Sequence, residues 1–181
     1  MRDLPESLLA QQYGTPEVGG LTAAQSTVAE IVNLGRRAIA IQADVSKKRD
    51  TQYMVEETGR QLGDLHILVC NAGVVSHSTV EAMTEDAWDL TFAVNVKGVF
   101  LSCQAAIPVM KARGSGCIIS TASVAGKNGF PGLAHYCASK FAIVGFSWRW
   151  QVPSRGNSAF GSMRSAQGFS ARRCGNTWQI R

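Results

Sequence analysis

Nowhere does this sequence carry a C-x-x-C pair, although it has five cysteines. Cys70, Cys103, Cys117, Cys137 and Cys174 are scattered, several of them in apolar runs where a free thiol behaves as a small buried hydrophobe. That usage points to a reducing, cytoplasmic setting. His66, His77 and His135 show no metal-ligand spacing, so no metal site is expected. The opening MRDLPESLLAQQYG lacks the basic-then-apolar layout of a secretory signal, and no apolar run approaches membrane-spanning length. No membrane partner is expected on either ground. Acidic residues and lysine are also missing from one region: Ser147 to Arg181 holds six Arg and no Lys, Asp or Glu. The whole chain carries 18 Lys+Arg against 13 Asp+Glu. The first 146 residues therefore keep 12 basic and 13 acidic side chains, a formal −1. The basicity belongs to the tail, and the body shows no phosphate-binding face that would call for nucleic acid.

What is present reads as one soluble globular domain. The length of 181 residues, with 45% hydrophobic and 17% charged content, suffices for a sizeable core. ESLLAQQYG reads as a helix end stopped by Gly14, and TPEVGGL after it has no usable period. Thr22 to Leu34 reads as a helix, with Ala24, Val28, Ile31 and Val32 at helical spacing and Gly35 as C-cap. RAIAIQADV reads as a short strand ending in Asp44, after which Ser46 can N-cap a helix ending near Gly63. LHILVCNAG is the clearest strand, and its continuous apolar run suits a parallel strand covered on both faces. Thr84, Glu85 and Asp86 open a long helix toward Arg113, with Pro108 marking a kink or an ending. GCIISTAS reads as another buried strand, and LAHYCASKFAIVGF as another helix. This alternation predicts a doubly wound α/β domain on a parallel sheet. No repeat or low-complexity segment precedes the tail.

Chemistry concentrates at YCASK. Tyr136 and Lys140 are four apart and share a helix face. A phenol is a poor acid/base at neutral pH, and a nearby ammonium favours the phenolate and makes it usable. Ser123 ends the strand IISTAS, and strand ends are where open α/β sheets place ligands. Its hydroxyl can donate to a substrate carbonyl. ADV at Ala43–Val45 and NAG at Asn71–Gly73 follow predicted strands, and Asn95 lies in NVKG within a helix. Plainer readings stay open: Asn95 as a backbone-bonding residue in a helix kink, Asp44 as a turn residue, and Trp88, Phe92 and Phe100 as core.

Taken in order, ADV, NAG, NVKG, STASVAG and YCASK resemble the short-chain dehydrogenase/reductase family, over roughly Thr22 to Phe146. The resemblance implies an incomplete Rossmann-like doubly wound parallel sheet with helices on both faces, and a catalytic set of Asn95, Ser123, Tyr136 and Lys140. Tyr136 would exchange a proton with an alcohol or ketone oxygen while hydride passes to or from NAD or NADP. Ser123 would orient that oxygen, Lys140 would bond the nicotinamide ribose, and Asn95 would hold a water in the proton relay. Asp44 and Val45 would line the adenine, and Asn71, Ala72 and Gly73 the adenosine-side ribose and sheet edge. A small alcohol or ketone of sugar-alcohol or oxoacyl type, and a homo-oligomer for an intact member, follow from the same resemblance.

Two family features are absent. The family opens with a strand and a T-G-x-x-x-G-x-G turn, and nothing here matches it. The second strand, which usually selects NAD or NADP, falls on TPEVGGL. The expected organisation is therefore a partial domain over 1–146, off-pattern at 14–22, and an off-pattern basic tail over 147–181 without order. The tail has a reading in the genetic code. Regrouping plausible codons of Phe160 to Phe169 from each third base is compatible with R-V-N-A-V-x-P-G, which the family carries about there. The chain thus reads as N-terminally truncated and C-terminally frameshifted. An inactive fragment of the family, and a nucleic-acid or membrane-surface binder acting through the Arg/Trp tail, remain alternatives.

Overall fold

The computed structural model describes residues 20–149 and 163–166, with side chains from Gly20 to Ser147. The helix end expected at ESLLAQQYG, nearly all of TPEVGGL before Gly20, and the tail beyond Arg149 apart from 163–166 lie outside the described residues. Chain order is helix α1 (Leu21–Asn33), helix α2 (Lys48–Leu62), strand β1 (Ile67–Cys70) and helix α3 (Glu85–Phe92). A π-helical turn (Ala93–Lys97) joins α3 to helix α4 (Gly98–Arg113), followed by strand β2 (Cys117–Thr121). A 3₁₀ turn (Val124–Gly126), helix α5 (Ala134–Arg149) and strand β3 (Met163–Ala166) complete the order.

The helix signals act as their chemistry dictates. Thr84 Oγ1 accepts from the Ala87 amide at 3.2 Å, and Glu85 and Asp86 fill the first turn of α3. Gly35 at φ 73° closes α1, its amide and that of Arg36 returning to the carbonyls of Val32 and Ile31. Gly63 at φ 103° ends α2 as expected. The α2 start differs: Lys47 is the N-cap with no side-chain cap bond, because the Ser46 hydroxyl donates to Asp44 Oδ1 at 2.7 Å instead. Pro108 does not end its helix, which runs on to Arg113 and stops at Gly114, φ 83°.

The strands run in the order β1–β2–β3, all parallel, with Ile67 opposite Cys117 and Ile118 opposite Met163. This is a parallel α/β sheet of the Rossmann type. RAIAIQADV, expected as a strand, forms none: residues 37–45 carry no ladder. A strand exists only against a partner, and none of the described strands lies beside it. Within the stretch expected to be without order, the backbone of Met163–Ala166 joins β2 in register, and α5 runs past the 146/147 boundary to Arg149.

The core lies where α4 and α5 cover the sheet, and gathers Val55, Leu68, Cys70, Val99, Cys103, Ala106, Met110, Ile118, Ile143 and Val144. Each fully buried large aliphatic contributes about 1.5–3 kcal/mol. β1 is covered on one face only, since Leu68 and Cys70 are buried while Ile67 and Val69 stand half exposed. Helix α1 buries no residue completely. The continuous run Glu85–Arg113 is long and apolar enough to cross a membrane by composition, which corrects the expectation that no run reaches that length. Cys103, Ala106 and Met110 of this run are packed into the core.

Candidate active site

Because β1 and β2 are parallel, the turns that follow them open at the same edge of the sheet. Asn71–Gly73 leaves β1 exposed to solvent, and Ala122–Ser123 leaves β2. Thr121 Oγ1 donates to Asn71 Oδ1 at 2.9 Å and ties the two turns together. Ser123 is extended and half-buried, and its Oγ accepts from the Ala125 amide at 3.2 Å, capping the 3₁₀ turn. A hydroxyl used as an acceptor keeps its own hydrogen to donate, so Ser123 can still address an oxygen at this edge.

Asn95 sits inside the π-helical turn at 1% exposure. Single π turns inside α-helices gather at functional sites because they re-aim side chains. Asn95 Oδ1 accepts from the Val74 amide at 2.7 Å, and Nδ2 donates to the Val74 carbonyl at 2.9 Å and to Ser139 Oγ at 3.0 Å. Both amide hydrogens are thus spent on protein. This bonding spans 21 residues and pins the segment after the Asn71–Gly73 turn, where a kink-local role would have used neighbouring backbone. Any water in a relay must be held by other atoms than these two hydrogens.

Lys140 comes from the second turn of α5 and is 5% exposed. Its Nζ donates to the Thr121 carbonyl at 2.9 Å and lies 5.6 Å from the centre of the Tyr136 ring. Burial pushes the Lys140 amine down from its ordinary value. A Cβ added to Gly73 would stand 3.3 Å from Asn95 Oδ1 and 3.6 Å from Lys140 Nζ. The bare backbone of Gly73 is therefore where β1, the π turn and α5 converge, which is why the turn needs a small residue there.

Asp44 and Val45 also make contacts within the protein. Asp44 Oδ1 accepts from the Ser46 amide and hydroxyl, Oδ2 lies 3.3 Å from Lys47 Nζ, and the Asp44 amide donates to Asp50 Oδ2. Burial acts to raise the Asp44 carboxyl, but the Ser46 and Lys47 contacts outweigh it and hold it below its ordinary value. Those contacts close the turn from Asp44 to Lys47. Val45 packs against Gly98, where an added Cβ would approach Val45 Cγ2 to 2.8 Å. Gly98 of NVKG is thus a packing glycine.

Four residues escaped the sequence reading. Thr121 and Val74 contribute backbone and turn contacts, which no side-chain pattern reveals. Ser139, inside YCASK, links Asn95 to the Tyr136 carbonyl, donating to it at 2.7 Å. His135, weighed only as a metal ligand, is fully buried beside Tyr136 with Nε2 2.7 Å from Ser76 Oγ. The one available signal for the last two was adjacency to Tyr136 and Lys140. No metal-ligand cluster occurs among the described residues.

A family model for short chain dehydrogenase matches residues 19–156 of this chain. The chain belongs to the short-chain dehydrogenase family. Curated relatives of this short-chain dehydrogenase include the 3-oxoacyl-[acyl-carrier-protein] reductase FabG of Staphylococcus epidermidis RP62A. It is 36% identical over 129 residues, covering 71% of this chain and 53% of that protein. An uncharacterized oxidoreductase of Thermotoga maritima is 40% identical over 123 residues, covering 68% and 48%. A short chain dehydrogenase/reductase from Burkholderia phymatum, solved in complex with NAD, superposes with TM-score 0.75 at 27% identity. That match covers 81% of this chain and 52% of the other. A short-chain type dehydrogenase/reductase from Mycobacterium marinum gives TM-score 0.67 at 36% identity, covering 71% and 53%. The chain spans about half the length of the curated relatives it matches.

Proposed function

We propose that this short-chain dehydrogenase interconverts an alcohol and a ketone with NAD or NADP, on a small substrate of oxoacyl or sugar-alcohol type. The observation that carries the reading is the buried Lys140 ammonium, fixed by the Thr121 carbonyl and set beside the Tyr136 ring at the open edge of the parallel sheet. The bound nicotinamide would supply or accept hydride. Tyr136 gives a proton to the ketone oxygen or takes it from the alcohol, Lys140 stabilises the charge left on the phenol, and Ser123 donates to the same oxygen. Asn95 holds the wall that carries Gly73 against Lys140. The 3-oxoacyl reductases among the relatives favour the oxoacyl class, and a cytoplasmic homo-oligomer fits the same reading.

Residues fit the two ends of the cofactor unequally. Lys140 suits a nicotinamide ribose at the sheet edge, and the exposed turn Asn71–Gly73 suits the adenosine-side ribose. Asp44 is already bonded within its own turn, and the 181 residues contain no T-G-x-x-x-G-x-G sequence to meet a pyrophosphate with backbone amides. This favours a second reading, in which the chain as it stands carries the proton-transfer residues without the anchor that sets hydride distance. Titrating the purified chain with NADH and NADPH, followed by nicotinamide fluorescence, should give no saturation at micromolar cofactor. A version carrying an upstream Gly-rich segment and the in-register downstream sequence should bind and reduce a 3-oxoacyl thioester. In that version Tyr136→Phe should abolish turnover and leave cofactor affinity nearly intact. Retained turnover in Tyr136→Phe would refute the catalytic assignment. Tight binding by the chain as it stands would refute the need for the anchor.

A further inference from the structure

The segment after the Asn71–Gly73 turn is extended and pinned at every second residue. Val74 is held by Asn95 through both its amide and its carbonyl. Ser76 meets His135 Nε2 at 2.7 Å. Ser78 bridges to Leu133, its amide donating to the Gly132 carbonyl at 2.8 Å. The alternate residues Val75 and His77 are exposed, as period two requires of extended backbone. The two outer pins are made to backbone. The middle one is a side-chain pair whose histidine directly precedes Tyr136.

His135 is fully buried, and its Nδ1 finds no partner among the described residues. With one polar contact for two ring nitrogens, an imidazolium would leave a charged N–H unmet, and burial does hold this ring below its ordinary value. The neutral ring has two choices. If Ser76 donated to Nε2, the ring hydrogen would sit on Nδ1 as a buried orphan donor. If Nε2–H donates to Ser76 Oγ, only a lone pair is left unmet, the cheaper defect. The second choice also releases the Ser76 hydroxyl hydrogen.

The geometry points to His135 as a positioning residue: as the Nε2–H tautomer it fixes Ser76, and through it the wall carrying Gly73 and Val74, against the start of the helix that bears Tyr136 and Lys140. Its value for catalysis rests on the assignment of Tyr136 and Lys140 above, but its structural content stands without it. The outer pins reach α5 only at second hand, Val74 through Asn95, which also donates to Ser139 Oγ, and Ser78 through Leu133, whose carbonyl accepts the Cys137 amide, whereas Ser76 bonds a side chain of α5 directly.

The test uses the full 181-residue chain, isotopically labelled, with no cofactor. Nitrogen NMR of the imidazoles should show His135 protonated at Nε2 and bare at Nδ1. Ser76→Ala should raise amide hydrogen exchange at Val74 and Ser78 about tenfold relative to amides of α4 such as Cys103, and Ser76→Thr, which keeps the hydroxyl, should restore protection. A ring hydrogen found on Nδ1, or unchanged exchange in Ser76→Ala, would overturn the inference. Should His135→Phe fail to fold, the serine pair still decides, since Ser76→Ala removes one oxygen at a half-buried site. None of these readouts depends on turnover, so failure of the Tyr136 assignment and failure of the pin are separable.

Discussion

Gly126 offers the sharpest test of how the site is held. It closes the 3₁₀ turn after Ser123 and is buried against α5. A Cβ added there would stand 2.8 Å from the Lys140 carbonyl oxygen, 3.1 Å from the Lys140 carbonyl carbon and 3.1 Å from Val144 Cγ2. The nearest obstacle is helix backbone, which cannot rotate away as a side-chain tip can. Non-bonded heavy atoms prefer about 3.5–4.0 Å, so either the turn or the helix must give by roughly half an ångström. Overpacking of this kind costs about 1–3 kcal/mol. A loss of about 2 kcal/mol is roughly thirtyfold in the folding equilibrium, and with a urea slope of about 1–3 kcal/mol/M it lowers the midpoint by about 1 M. The displacement also falls on Lys140, whose side chain reaches the Thr121 carbonyl at 2.9 Å. Gly126→Ala and Gly129→Ala should be compared by urea denaturation. Gly129 has open space where its Cβ would stand, so its variant should stay within about 0.5 kcal/mol of the parent. Equal midpoints for the two variants would refute the packing argument and the close approach of turn and helix.

Three other outcomes are expected. Asn95→Leu should destabilise the fold by on the order of 3 kcal/mol, because it strips partners from the buried Val74 amide and carbonyl; the same denaturation assay measures it. Lys140→Met should leave stability within about 1 kcal/mol, since losing the bond to Thr121 is offset by no longer burying a charge. In the extended version it should weaken both cofactor affinity and rate. The folded-state His135 lies below its ordinary value, so the unfolded chain binds its proton first as pH falls. The stability this ring contributes is therefore present above about pH 6.5 and lost as pH drops through the folded value. Urea midpoints from pH 8 to 5 should decline more steeply for the parent than for His135→Phe.

Much of the site was readable because its spacing is local. Tyr136 and Lys140 share a helix face by number alone, Thr84 and Gly35 act through their own neighbours, and the family motifs are short runs of adjacent residues. The apolar run at β1 and the GCIIST run at β2 announce strands because side-chain type alone favours buried extended backbone. What sequence could not reach were the contacts that cross the chain. Residues 37–45 carry a strand's composition yet pair with nothing described, since a ladder is decided by the neighbour and not by the run. Asp44 read as an adenine contact or as a turn residue, and only the fold shows its carboxylate bonded to Ser46 and beside Lys47. Asn95 could be placed on a helix, but only folding brings it to a backbone 21 residues away. The Ser76–His135 pair, 59 residues apart, belongs wholly to the tertiary structure. Sequence determined which groups could do the chemistry. Packing decided which of them meet, because a hydrogen bond requires a distance that only the closed sheet and its helices supply.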